Sequence, residues 1–565
     1  MLLQRLVEYA ERRDDLPPPM YARTWVRYVI EIDHHGQLLN PQPIDLSDGG
    51  TARGQRRVVP NVQRTVAIKP LLLSDNAEYT FGLPREASRG ERVERCHQAY
   101  IALLEACVSQ TSDPGAEAIL TLLCDDPLAE LALPNTFDAG GKIIFRVGDA
   151  FAHWQPAIQR FWARYNAPKT TGRKATSEMQ CIVCGQNKPV VKRLRGKIKR
   201  VPGGQSSGTA LISANQDAFE SYGLKASHVA PTCFECGDRF TKALNHLLRD
   251  DTTHLWFSSL IFAFWTREDV GFSLADWLAQ PESQDVRDLI NTVRRGGTLL
   301  QLDDTGFYAV SLSGSGGRAV VRDWIDITVG QAKTSLADWF QAQQIVDAWG
   351  DQPRPLGIYA LAGATVRDLQ ELPAPTARVL LRAALTDTPL PWGLLHQAIL
   401  RNQAERDVTR SRAALIKLVM VTQGALKETT MVQLQPDHPS AAYHCGRLLA
   451  VLEQIQRAAI GSNISATIVD RFYGTASTAP ASVFGRLLAG AQPHLSKLQR
   501  DRPGAAYALH ERLEDILGAL PAFPPTLNLK EQGLFALGYY HQRADDRAQA
   551  RAAKAAADAT TLESS

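Results

Sequence analysis

No stretch of this 565-residue chain approaches the roughly 20 consecutive apolar residues needed to cross a bilayer. The opening MLLQRLVEYAERRDD becomes charged before a signal-peptide core could form, so a cytoplasmic protein with no membrane partner is expected. Familiar catalytic signatures are also missing. There is no HExxH, no GxSxG and no Walker loop, the histidines are scattered, and the acids form no clear metal-binding cluster. A non-catalytic protein is therefore expected. Charge of one sign is scarce as well: 62 Lys and Arg against 59 Asp and Glu leave a formal +3, so contact with nucleic acid must rest on local clusters. A hydrophobic content of 44% with 21% charged residues makes disorder the wrong default, and the length calls for several domains.

The pattern along the chain predicts an α+β protein. Leu2, Leu3, Leu6, Val7 and Ala10 lie at helical spacing. The segment 25–33 alternates as one strand before a His34-His35-Gly36 turn, and helices are expected over 86–108 and near 151–165. Residues 253–265, 307–312 and 318–327 are rich in β-branched and aromatic side chains. The last two are joined by Ser-Gly-Ser-Gly-Gly, which reads as a hairpin turn because no Lys-Ser/Thr and no helix pattern follow. After about Leu361 the pattern is helical, with Leu448, Leu452, Ile455 and Ala459 on one face and Val483, Leu487, Ala491, Leu495 and Leu498 on another. The expected division is a mixed α/β region over 1–170, a cysteine-stapled insertion over 171–250, a β-rich middle over 251–360, a helical connector over 361–430, a helical bundle over 431–545 and a frayed tail over 546–565.

Cys96, Cys107, Cys124 and Cys445 stand singly in apolar helical patterns and read as buried thiols. The other four form two knuckles, Cys181-Ile-Val-Cys184 and Cys233-Phe-Glu-Cys236, each followed by glycine. Two such pairs can offer four thiolates to one structural Zn²⁺, which leaves no open coordination position for hydrolysis; four unrelated thiols are the alternative.

Two acid-free basic runs stand out. One holds Arg53, Arg56, Arg57, Arg64 and Lys69; the other, between the knuckles, holds Lys188, Lys192, Arg193, Arg195, Lys197, Lys199 and Arg200. The second leads into Gly203-Gly204-Gln205-Ser206-Ser207-Gly208, where glycine amides and serine hydroxyls can converge on phosphate and Gln205 can pair with a base edge. A solvated loop with no ligand is the bland alternative for both features.

Several blocks, in order along the chain, resemble the large subunit of the type I-C CRISPR Cascade complex. They are MLLQRLVEYAERRDDLPPPMY, Ile68-Lys69-Pro70 with Ser74-Asp75-Asn76-Ala77-Glu78-Tyr79, GGQSSGTALISANQDAFESYG over 203–223, and NISATIVDRFYGTASTAPASVFGRLLAGAQPHLSKL over 463–498. The resemblance implies a subunit beside the proteins that hold the guide RNA (crRNA), at the end and along the backbone of the complex. It implies recognition of the protospacer-adjacent motif in double-stranded target DNA, support of R-loop opening, contact with the displaced single strand, and docking of a helicase-nuclease. On this reading Asn76 and Gln205 reach base edges, while Arg56, Arg57, Arg64, Lys69, Lys192, Arg193, Arg195, Lys197, Lys199, Gly203, Gly204, Ser206 and Ser207 hold backbones. The cysteine pairs depart from what the family uniformly keeps.

The resemblance further implies a small helical subunit made from an internal start, for which Met431 is the candidate: Lys427-Glu428 can be encoded by a purine-rich AAGGAG, and Thr429-Thr430 supply a spacer. Arg447, Arg457, Arg471, Arg486 and Lys497 are expected to be exposed on that bundle, where they could follow single-stranded DNA. The rival readings are a zinc-ribbon DNA-processing enzyme such as a nuclease, and a scaffold for protein contacts.

Overall fold

The computed structural model describes residues 1–47, 51–62, 64, 67–85, 90–125, 127–167, 177–194, 196–268, 274–294, 303–427, 430–461 and 464–563. Its first apolar stripe forms helix α1 (Leu2–Glu11), with Leu6 and Val7 buried. The single strand expected over 25–33 is instead two, β1 (Tyr21–Val26) and β2 (Tyr28–Ile32), which belong to different sheets. The cause lies at Arg27. The amides of Arg27 and Tyr28 both donate to the Lys142 carbonyl, at 2.9 and 3.0 Å, and the Arg27 carbonyl accepts from Leu46. Two consecutive amides aimed at one acceptor break the alternation that a continuous strand requires.

The chain continues through β3 (Ile44–Asp45), β4 (Gln55–Pro60), β5 (Ser74–Asp75), helices α2 (Gly90–Thr111) and α3 (Pro114–Cys124), β6 (Ile143–Val147), β7 (Ala150–Phe151) and α4 (Pro156–Tyr165). β1 and β4 form an antiparallel ribbon in the register Tyr21↔Pro60 to Val26↔Gln55. β2 pairs in parallel with β6, and β3, β5 and β7 complete that sheet. The parallel pair requires a crossover, which α2 and α3 supply. α2 lays Val93, Cys96, Tyr100, Leu103, Leu104 and Cys107 along one buried stripe, and Asp113 caps α3 by accepting from the Ala116 amide at 3.0 Å. Cys124 ends α3 and is exposed, so it is not the buried thiol expected from its neighbours, whereas Cys96, Cys107 and Cys445 are buried.

Beyond residue 177 come the hairpin β8 (Glu178–Gln180) and β9 (Asn187–Pro189), then α5 (Phe234–Leu247). The contacts divide the chain into two compact units, residues 1–199 with 206–246, and residues 200–205 with 247–565.

The second unit opens with an antiparallel meander of β10 (His254–Phe257), β11 (Leu260–Thr266), β12 (Gly306–Ser315) and β13 (Arg318–Thr328). The Ser-Gly-Ser-Gly-Gly segment is a hairpin as expected, but the strands run into it and leave only Gly316-Gly317 as the turn, with Gly316 at φ +57°. Thr328 closes a capping box with Gln331 at the head of α6 (Val329–Ala342).

The rest is helical: α7 (Ala374–Thr386), α8 (Trp392–Glu405), α9 (Arg410–Thr422), α10 (Ala441–Ile460), α11 (Ile468–Ala476), α12 (Phe484–Asp501), α13 (Pro503–Gly518) and α14 (Leu529–Glu563). One continuous apolar core joins the inner face of the meander, Phe262, Phe264 and Phe307, to α9, α10 and α14. The segment expected to fray is the far end of α14. Asp546 there is buried and bonded to Arg512, and Arg551 pairs with Asp351 at 2.8 Å. Among the described residues no helix is long and apolar enough to cross a membrane.

Candidate nucleic-acid interface and metal centre

The first knuckle is the tip of the β8–β9 hairpin. The Cys181 amide donates to the Gln186 carbonyl and the Gly185 amide to the Cys181 carbonyl, at 2.9 and 2.8 Å, and Gly185 takes the left-handed turn at φ +71°. The second knuckle starts α5, with Cys233 just before its first residue and Cys236 in its first turn. The two meet: all four Sγ atoms lie within 4.8 Å of one another, with Cys181, Cys233 and Cys236 buried and Cys184 at the edge.

Zn–S bonds of ~2.3 Å in a tetrahedron place the sulfurs ~3.8 Å apart, so this cluster is compatible with a zinc site. Its electrostatics point the same way. Hydrogen bonding from the Cys236 thiol pulls Cys233 down to about 5, while Cys236 is pushed up by the same bond and by burial. Four thiols this close cannot all ionise without a cation among them.

The basic run is fastened onto α5 and the residues that lead into it. The Val191 amide donates to the Thr232 carbonyl at 3.1 Å. Asn245 accepts from the Lys199 amide at 2.8 Å and donates to the Lys197 carbonyl at 2.9 Å. Gly196 lies so close to Thr241 that a Cβ would overlap its side chain, and Gly237 stands likewise against Leu194. With the backbone held inward, Lys192, Arg193, Lys197 and Lys199 point outward and are exposed. Lys188 is partly committed, since it bridges to Glu235 at 3.0 Å. Arg195 lies outside the described residues. Arg200 is drawn away to the carbonyls of Leu248 and Arg249.

The glycine-serine segment divides between the units. Ser206 and Ser207 are exposed in the first. Gly203, Gly204 and Gln205 belong to the second, where they lie along the β12–β13 hairpin. The Gln205 amide donates to the Gly316 carbonyl at 3.1 Å, the Gly314 amide donates to Pro202, and a Cβ on Gly314 would overlap the backbone of Gly203 and Gly204. Two glycine runs that the sequence keeps a hundred residues apart thus form one backbone-lined edge, with the Gln205 side chain exposed on it.

The β1–β4 ribbon gathers a further cationic face. Trp25 stands opposite Arg56, whose guanidinium lies over the indole at 5.5 Å, and Arg23 follows on the same face. Arg23 was not anticipated; its period-two spacing with Trp25 was the available signal. Arg53 and Arg56 are exposed, while Arg57 turns to the Phe151 ring at 5.1 Å and to Gln55.

Two of the expected DNA contacts, Arg64 and Asn76, are packed against their own unit. Arg64 clamps the buried Asp75 carboxylate with both terminal nitrogens, gives its Nε to the Lys69 carbonyl at 2.7 Å and covers the Tyr79 ring. Asn76 is 9% exposed, at the head of a short helical turn, with Oδ1 buried and unpartnered. Arg64 is thus engaged within its own unit and Asn76 is largely covered, whereas Lys69 is exposed. The bundle holds a similar correction. Arg447 is buried and bonds Gln542, Pro436 and His444, because its guanidinium reaches back under α14. Arg471, Arg486 and Lys497 are exposed, and Arg457 pairs with Glu453.

The family model described as CRISPR-associated protein (Cas_Csd1) matches residues 3–546, nearly the whole chain. The chain belongs to this family, the type I-C large Cascade subunit. Family membership places it among CRISPR-associated proteins that work in a Cascade complex with crRNA and other Cas subunits. No curated protein matches the chain. The four-cysteine cluster lies within the matched span, as do the basic loop, the glycine edge and the ribbon.

Proposed function

We propose that this Cascade subunit recognises the protospacer-adjacent motif in duplex DNA, supports R-loop opening, contacts the displaced strand and docks the helicase-nuclease, without cutting DNA itself. The observation that carries the DNA-binding part is the loop over 191–199. Its backbone is fastened to α5, and its four described cations project to solvent. A solvated charged loop has no need of such anchoring, whereas a backbone-phosphate clamp gains from it because less conformational entropy is lost on binding. Gln205, held on the glycine edge, is the favoured base-edge reader; Arg23 and Arg56 flanking Trp25 make a second candidate surface for duplex DNA. The cysteine cluster takes a structural Zn²⁺ that sets the loop's position.

The test is the salt dependence of target binding by the assembled crRNA complex. Replacing Lys192, Arg193, Lys197 and Lys199 with alanine should make the slope of log K against log salt shallower by up to about 3.6, since each phosphate contact contributes roughly 0.9. Preference among adjacent motifs should be little changed. An unaltered slope would remove the loop from the interface, and metal-dependent cleavage of DNA by the isolated chain would point to an enzyme instead.

We also propose that Met431 starts a separate small subunit comprising α10–α14. These helices pack on one another through Leu448, Leu452, Leu487 and Phe535, which supports an autonomous bundle. Met431 itself is 1% exposed, and in the full chain α14 also packs against α8 and α9, where Gly533 meets Leu395, Ile416 and Met420. A fragment would leave that face of α14 for another subunit to cover. With Met431→Leu, mass spectrometry of the expressed operon should find the short C-terminal product gone; its persistence at unchanged mass would dismiss this start.

A further inference from the structure

A cavity of about 450 Å³ opens in the first unit where the end of β4, the basic loop and the first turns of α5 converge. Its walls are of two kinds. Val62, Leu194 and Phe234 present apolar surface, and Asn61, Lys197 and Ser207 bring an amide, an ammonium and a hydroxyl. Lys242, also in the wall, is already bound to Asp238 at 2.6 Å and to the Pro18 carbonyl at 2.7 Å. That pair cancels in charge, so Lys197 leaves the cavity net positive. A flat apolar group with a hydrogen-bonding edge and an anionic tail matches this lining.

We infer that the cavity receives a single nucleotide of an unpaired DNA strand, with its base against Val62, Leu194 and Phe234, its edge on Asn61 and its phosphate on Lys197 and Ser207. The inference rests on the proposed role of the basic loop and goes beyond backbone contact, because it gives that loop a place for a base. The strand, and not a free nucleotide, is favoured by what adjoins Leu194: Lys192 and Arg193 are exposed on the same fastened loop and can take flanking phosphates. The volume suits one nucleotide and not a stacked duplex step, so the occupant is unpaired and its cost of extrusion is smallest in an already opened strand. The loop's packing keeps the cavity open, since Gly196 and Gly237 let it lie against α5 without filling the space above.

The test uses the full chain and fluorescein-labelled single strands, one of thymidines and one of the same backbone with abasic sites, read by anisotropy. The intact strand should bind on the order of tenfold tighter, the range expected for one base held by stacking and edge contacts. Asn61→Ala should shrink that ratio while leaving the abasic strand's affinity and the melting temperature unchanged, and Ser207→Trp, which fills the cavity from its exposed rim and removes a phosphate contact, should weaken both strands and bring their affinities together without changing the melting temperature. Equal binding of the two strands by the parent protein, with salt dependence intact, overturns the nucleotide site and leaves the basic-loop reading standing. Failure to bind either strand overturns both. Thymidine monophosphate competing as effectively as the strand, nucleotide for nucleotide, overturns the strand assignment in favour of a free nucleotide.

Discussion

Replacing Cys233 and Cys236 with serine should abolish zinc binding and unfasten the loop over 191–199. The parent chain should carry about one zinc by elemental analysis, held by four thiolates, and the variant none. The loss should destabilise the knuckles by several kcal/mol, because the binding energy of a structural zinc is folding energy for the segment it closes. The span between the knuckles is long, and among its described residues it carries little apolar core of its own beyond Val190, Ile198, Val201 and Ala214. Helix α5 should survive, since Phe240, Ala243 and Leu244 are fully buried independently of the cysteines. Limited proteolysis should therefore cut at Lys192, Arg193 and Lys197 in the variant while α5 stays intact. Zinc content equal to the parent's would refute the assignment, and a cleavage pattern equal to the parent's would refute the staple.

The second large effect is expected at the crossing of α10 and α14. Gly446 faces the Phe535 carbonyl and the Tyr539 amide, and Gly538 faces the Tyr443 carbonyl, each so closely that a Cβ would overlap backbone atoms. The two helices meet there without side chains between them. The approach lets Tyr443 Oη reach His541 Nδ1 at 2.9 Å, Tyr539 Oη donate to Glu453 at 2.9 Å and Arg447 donate to Gln542 at 3.0 Å. Backbone cannot move aside as a flexible side chain can, so Gly446→Val should push the helices apart and cost about 3 kcal/mol or more. The measurement is a urea or thermal unfolding curve. Gly490 provides the opposite sign: it lies within α12 with nothing near its Cβ position, and Gly490→Ala should stabilise the protein by up to ~1 kcal/mol. If both changes behaved alike, the crossing would not be the reason for Gly446.

The α+β class was legible in the sequence because its signals are local. The stripe of Val93, Cys96, Tyr100 and Leu103, the apolar and aromatic run through 307–312 and the proline that opens α13 each follow from neighbours within a few residues. The four cysteines were legible for the same reason, as two short knuckles, and the structure brings them together. The break at Arg27 was not legible. It depends on the carbonyl of Lys142, more than a hundred residues away, and no pattern within 25–33 reports that acceptor. Cys124 was misjudged because helical periodicity marks a face and does not say where along the helix the partner ends.

What the sequence determined by itself is the composition of the interface: which segments carry cations without acids, where glycine permits close approach, and which family the chain joins. What only the tertiary structure decided is which of those cations are exposed. Arg64 and Arg447 carry the same charge as Arg193 and Lys497, yet a buried carboxylate claims the first and α14 the second. A guanidinium's partner is set by distance in space, over a few ångströms, and sequence separation carries no information about it. The same holds for the glycine edge, where Gly203-Gly204 and Gly314 matter as a pair only because two backbones touch.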